Sequence, residues 1–147
     1  MLPRGPEIYY KSTSLTVTPI PAFTQTFQFK NNNFYQMNWD SLNVDVYYCT
    51  VSGTFPFTQF LCDADAIGSA TYNDGGKFHT GIRGSVNLPL VYDFHPSVAQ
   101  IAQITMLCAG DPGYVVFLTE GTVHAKLASG KDFGTEDIHQ YATVFCN

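Results

Sequence analysis

The 147-residue sequence predicts a mainly β chain: one antiparallel, immunoglobulin/fibronectin-like β-sandwich of about seven strands with one short helix. Three observations predict it. Apolar and polar residues alternate with period two over several stretches, as on a strand with one buried face. Clusters of Asn, Asp, Gly and Ser punctuate those stretches. One segment shows helical spacing instead. A closed barrel is the structural alternative.

The elements follow in chain order. MLPRGPEIYYKSTS is broken by Pro3 and Pro6, so residues 1–12 are expected to form an N-terminal arm or tether before a domain at 13–147. Ile8, Tyr9 and Tyr10 nevertheless suit a strand, or an arm that packs on a neighbouring subunit. Leu15 and Val17 alternate with Thr16 and Thr18, giving a short first strand. Phe23, Phe27 and Phe29 alternate with Thr24, Thr26, Gln28 and Lys30, giving the second. Leu42, Val44, Val46 and Tyr48 repeat the pattern. Asn73-Asp74-Gly75-Gly76 is a turn signal, so 66–72 and 77–90 are expected to pair as a hairpin. Phe78, Ile82, Val86, Leu88 and Leu90 share one parity there, and Gly81 and Gly84 predict a bulge or bend. The last two strands are expected at 115–127 and 138–145.

HPSVAQIAQITMLCAGDPG departs from period two. Val98, Ile101, Ala102, Thr105 and Cys108 recur three or four apart. Pro96 suits a first helical turn, and Gly110 and Pro112 suit an end. The spacing predicts a helix over 96–109.

Composition bounds the function. Charged residues make up 13% of the chain and aromatics 15%, and the net charge is −5. A weakly charged, aromatic surface suits contact with another protein or another copy. Seven scattered Lys and Arg make no basic stripe, so nucleic acid is not an expected partner. No apolar run reaches the ~20 residues of a membrane-spanning helix. Membrane contact is expected only through a segment absent from this chain. Cys49, Cys62, Cys108 and Cys146 contain no CxxC pair. Two disulfides in an oxidising compartment are expected rather than zinc or free thiols, and three pairings are open.

Asn31, Asn32 and Asn33 interrupt two strand patterns. Asn tolerates left-handed backbone and bonds its own main chain, so a turn is the plain physical expectation. The surrounding pattern sharpens this. Asn31-Asn32-Asn33-Phe34-Tyr35, then the strand at 41–48, Ile67-Gly68, a helix ending in Cys108 and a terminal Phe145-Cys146 resemble the late embryogenesis abundant type 2 domain. They resemble more closely the luminal domain of the transmembrane protein 106 family, with Pro3-Arg4 just outside that family's membrane span. The resemblance implies a luminal or extracellular sandwich of the late endosome or lysosome, releasable and able to assemble into fibrils. It makes the asparagine–aromatic run a family marker and implies a Cys108–Cys146 disulfide. Cys49 and Cys62 then bracket TVSGTFPFTQFL, which looks like an insertion into the family's short hairpin. That second pair and the lack of an Asn-x-Ser/Thr sequon depart from the family pattern.

Candidate chemistry is sparse. Asp63 and Asp65 lack the further spaced oxygens of a calcium loop and are expected to be solvated. His124 and His139, on the two last strands, are placed to face each other as a metal or pH-sensing pair if register allows. No G-x-S-x-G, P-loop or H-E-x-x-H occurs. No catalytic residue, metal or cofactor is expected. Phe55, Phe57 and Phe60 around Pro56 form a docking knob or a cap on the sandwich end. Together with Ile8, Tyr9 and Tyr10 they are the candidate self-association residues. The expected function is a non-enzymatic structural or interaction domain that self-associates as a homo-oligomer or filament. The alternative is a carrier of lipid or another apolar ligand, with the helix as a lid.

Overall fold

The computed structural model describes residues 2–53, 56–110 and 113–146. Ten strands and one helix follow one another as β1 (Glu7–Thr16), β2 (Ala22–Lys30), β3 (Met37–Ser52), β4 (Gln59–Cys62), β5 (Gly68–Thr71), β6 (Phe78–Thr80), β7 (Ser85–Val91), β8 (Asp93–Phe94), α1 (Val98–Cys108), β9 (Tyr114–Leu127) and β10 (Asp132–Phe145). One sheet has the order β1-β2-β7. The other has the order β10-β9-β3-β5-β8, with β4 and β6 also pairing β3. All pairings are antiparallel. The expected antiparallel β-sandwich is therefore present, with ten strands among the described residues rather than about seven, and with β1, β3 and β10 longer than anticipated.

The aromatics that alternate along β2 meet those of the opposing sheet. Phe23 lies 5.0 Å from Phe117, and Phe29 lies 5.3 Å from Trp39, ring centre to ring centre. Leu42, Val44, Val46 and Tyr48 of β3 are buried in the same core. Tilted and edge-to-face pairs of this kind add to the burial of the rings themselves. A bulge in β3 separates Asp40 from Asn43 in the ladder with β9, where Ser41 has φ 57°. Opposite it β9 carries Gly121, whose place no side chain can take: a Cβ there would collide with the Asn43 carbonyl oxygen.

Three expectations change. The N-terminal arm does not extend to residue 12. Past Pro6 the backbone regains its N–H donors, and Glu7–Thr16 pairs along β2. Ile8 and Tyr10 pack on the core, and a register shift at Lys11 turns Thr13 and Leu15 inward.

The expected hairpin of 66–72 with 77–90 is not formed. β5 pairs with Asn43–Val46 and β6 with Met37–Trp39, so both lie along β3. The long second arm is two strands, because Gly81–Gly84 carries the chain from one sheet to the other. Ile82, expected to be inside, is exposed there.

The helix also differs. Ser97 caps it through the Gln100 N–H, and Gln100 reciprocates to the Ser97 N–H at 2.7 Å, a capping box that puts Pro96 outside. Its buried stripe is Ile104 with half-buried Ile101 and Cys108. Val98, Ala102 and Thr105 face out, because the disulfide at Cys108 fixes the rotation of a helix that rests on the sandwich along one narrow line.

Candidate interaction surface

The side chains picked out in the sequence fall into three places. The first is the Asn31–Asn33 turn, which is buried rather than solvated. Asn31 has no exposed surface. Its Nδ2 donates to the carbonyls of Tyr35 (2.8 Å) and Gly81 (3.0 Å), and its Oδ1 accepts from the Asn33 N–H (3.0 Å). The Asn33 amide exchanges two hydrogen bonds with the backbone of Arg4, at 2.7 and 2.8 Å, as a strand neighbour would. Asn32 reaches Glu7. The three amides thus tie together the N-terminal segment, the Tyr35 turn and the sheet-to-sheet crossing. Phe34 and Tyr35 remain exposed beside them, with the Arg83 guanidinium 5.2 Å from the Phe34 ring.

The second place is a histidine clamp. His124 Nδ1 lies 2.9 Å from Asp40 Oδ2, and Nε2 lies 2.7 Å from Asp132 Oδ1. His139 instead stands opposite Glu120, at 3.2 Å. The register puts His124 across from Thr135, so the two histidines do not face each other. Among the described residues no group of three metal-ligating side chains converges. Asp63 and Asp65 are exposed, Asp63 accepting from the Gln100 amide at 3.1 Å.

Hydrogen bonds to Asp40 and then Asp132 raise the His124 pKa above 6.5. His124 and Ser41 hold Asp40 below 3.8, and the Gly134 N–H followed by His124 does the same for Asp132. The histidine's contribution to stability is full below about pH 6.5 and fades as pH rises through its higher folded value. The aspartates contribute above about pH 4 and lose that as pH falls through their lowered values. All three act together in mildly acidic solution. The difference in Tm between the native chain and His124→Asn is therefore expected to be largest near about pH 5–6 and to shrink above about pH 7.

The third place is one end of the sandwich. Cys49 and Cys62 are directly opposed on β3 and β4 and form a disulfide, with Cα atoms 3.9 Å apart. Cys108 and Cys146 form the other, tying the end of α1 to the end of β10. The first bridge closes the hairpin at its base. Gly53 has φ 84°, and a Cβ on it would lie 2.6 Å from the Phe57 carbonyl oxygen, so the tip requires glycine. Opening the bridge by Cys49→Ala with Cys62→Ala is expected to lower the unfolding free energy by about 3 kcal/mol, measured by urea denaturation.

Of the hairpin aromatics, Phe55 lies outside the described residues. Phe57 is 80% exposed. Phe60 meets the Tyr141 ring at 5.2 Å, while Val116 and Leu118 are covered by Tyr47, Val51, Cys62 and Tyr114. Ile8 and Tyr10 are partly taken up by the core, and Tyr9 stays exposed with its hydroxyl bonded to Glu7.

Strand directions place the β1–β2 turn, the β3–β4 hairpin, the start of β9 and the end of β10 at this same end. Helix α1 lies between two clefts there. One, of about 450 Å³, runs between α1 and the hairpin and is lined by Val51, Thr58, Met106, Leu107 and Tyr114. The other, of about 620 Å³, runs between α1 and the β1–β2 turn. Ile20, Phe57, Met106, Leu107 and Phe145 are all exposed.

The contributing stretches 12–29, 46–62, 96–110, 113–119 and 140–147 hold no Asp, Glu, Lys, Arg or His. Asp111 falls between two of them, outside the described residues. Six of the seven Lys and Arg (all but Lys11) lie in or beside the loops of the opposite end or at the strand ends that feed them. This segregation was present in the sequence as five uncharged runs. It became a surface only when register brought the runs together.

No protein-family model matches the chain, and no curated protein matches it. Solved structures do. A PapD-like domain of human CEP192 aligns over 97% of this chain and 84% of its own, with 12% identity and a TM-score of 0.48. A putative late embryogenesis abundant protein aligns over 96% and 71%, with 10% identity and a TM-score of 0.44. A protein from Archaeoglobus fulgidus aligns over 99% and 98%, with 3% identity and a TM-score of 0.42. At such identities these are likenesses of strand arrangement alone.

Proposed function

We propose that the chain is a non-enzymatic structural or interaction domain that works by associating with copies of itself. The observation that carries this reading is the end of the sandwich that holds α1, where Ile20, Phe57, Met106, Leu107 and Phe145 are exposed and Met106, Leu107 and Phe145 line the two clefts. Apolar residues gathered in one place mark contact sites, whereas scattered ones do not. The polar groups that could suggest chemistry serve the fold instead: the asparagine amides join three loops, and His124 joins two carboxylates.

Two disulfides suit an oxidising compartment, extracellular or endolysosomal. The histidine clamp is strongest in mild acid, which agrees with the luminal setting implied by the likeness to transmembrane protein 106. Assembly into a filament is the larger form of the same reading.

Light scattering on the oxidised protein over a range of concentrations tests it. A mass that climbs above the 16.3 kDa of one chain supports self-association. A mass that stays at one chain throughout removes it.

A second reading has its own observation. The cleft between α1 and the hairpin is about 450 Å³, and among the described residues that line it Tyr114 alone is ionisable, which suits a small apolar ligand. Native mass spectrometry of the purified chain tests this by showing or failing to show a co-purifying lipid.

A further inference from the structure

We infer that His124, Asp40 and Asp132 form a pH-sensitive latch that holds the β9–β10 turn down in mild acid and lets it lift near neutral pH while the sandwich stays folded. The latch works within one chain and does not depend on self-association.

Its position in the sheet is the first ground. Asp40 is the last paired residue before the bulge of β3, where the ladder with β9 skips to Asn43. Asp132 is the last paired residue before the bulge of β10, where the ladder with β9 skips to Gly134. His124 stands on the strand between them, so one imidazole ties both bulges. Each carboxylate also serves its own bulge. Asp40 Oδ1 accepts from the Ser41 hydroxyl at 2.8 Å, and Asp132 Oδ1 accepts from the Gly134 N–H at 2.7 Å. Ser41 and Gly134 both have positive φ, 57° and 73°. Two stretches of left-handed backbone thus hang on one side chain.

The second ground is the count of protons. His124 Nδ1 lies 2.9 Å from Asp40 Oδ2, and Nε2 lies 2.7 Å from Asp132 Oδ1. Both carboxylates can accept only from an imidazolium, which carries an N–H on each nitrogen. A neutral ring carries one N–H, so one carboxylate then faces a lone pair. The contact that gives way is the one to Asp132. β3 is paired on both sides, by β9 and β6, which fixes Asp40 in place. β10 is an edge strand, and Asp132 is its first residue. The His124 side chain is 28% exposed, so protons reach it without unfolding.

The other charged groups on this face do not replace the imidazolium. Lys77 acts on Asp40 and Lys126 on Asp132, and both favour the ionised carboxylates. Asp137, paired with Thr122, adds no cation. His79 lines a depression with Asp40 and Lys77 and is the second imidazole to be tested. The latch is closed above the lowered pKa values of the two aspartates and below the raised value of His124.

The turn it holds has a neighbour. The Ala128 N–H donates to the Gln36 carbonyl at 2.8 Å. Leu127 and Ser129 line a cleft of about 220 Å³ together with Phe34 and Tyr35. A lifted turn withdraws from that cleft and uncovers more of the two aromatics.

Hydrogen exchange of the oxidised chain at about pH 5.5 and about pH 8, with each amide referred to its intrinsic rate, tests the inference. The expected result is that protection of Ala128, Gly130 and Gly134 falls at least about threefold at the higher pH while β3 and β9 keep theirs. NMR of the ring nitrogens should show His124 losing its proton from Nε2 over the same range. Asp132→Asn should remove the response, since an amide accepts from an imidazolium and donates to a neutral ring. His79→Asn should leave it unchanged.

Equal protection at the two pH values, or a loss spread over the whole sheet, would overturn the inference. So would a response that survives Asp132→Asn or disappears in His79→Asn. A neutral ring protonated on Nε2 would overturn the choice of Asp132 as the partner released.

Discussion

Asn31→Ala is expected to lower the unfolding free energy by about 4 kcal/mol. The side chain is fully buried, donates to the carbonyls of Tyr35 and Gly81 and accepts from the Asn33 N–H, so it joins its own turn to the sheet-to-sheet crossing. Removing it leaves the carbonyls of Tyr35 and Gly81 and the Asn33 N–H without that partner, and each orphaned buried group costs roughly 1–3 kcal/mol. Asn31→Asp should be nearly as damaging, because it keeps the shape and loses the donors. Asn32→Ala removes a contact to Glu7 and should cost less than about 1 kcal/mol. Urea denaturation of the three variants checks the series.

The second large effect is at the other end of the molecule. Cys108→Ser with Cys146→Ser is expected to cost roughly 4 kcal/mol, since the bridge spans 38 residues of sequence. The effect has a local part. Helix α1 buries little besides Ile104 and hangs from Cys108. Its amides should therefore exchange with solvent sooner than those of β3 or β9 in the bridge-free variant. Equal exchange throughout would mean that packing alone holds the helix.

Much of the sandwich was legible because strand period is a local property. Phe23, Phe27 and Phe29 alternate and are all buried, as are Val44, Val46 and Tyr48. What period two does not contain is which strand pairs with which. Asn73–Gly76 has the composition of a hairpin turn, yet β5 and β6 both go to β3, because that 16-residue strand offers two separate lengths of free edge. The spacing places the helix within two residues at its start and one at its end, while the buried residue is Ile104 where the spacing predicts Thr105. A helix held by a disulfide and one isoleucine need not follow its own apolar stripe.

The candidate surface was legible in parts. The cysteines and the hairpin aromatics were evident as residue types. The end that holds α1 was not, because it is assembled from five runs that are distant in sequence. The asparagine run forms the turn its composition implies. Its burial comes from Arg4 and Gly81, and no local signal points to either.

Hydrogen exchange of the oxidised chain at high and low protein concentration tests the central claim most directly. The account predicts that amides of the hairpin at 56–60 and of α1 gain protection at high concentration, while those at 31–36 and 81–84 do not change. Protection gained at 31–36 and 81–84, or at no segment, would contradict it.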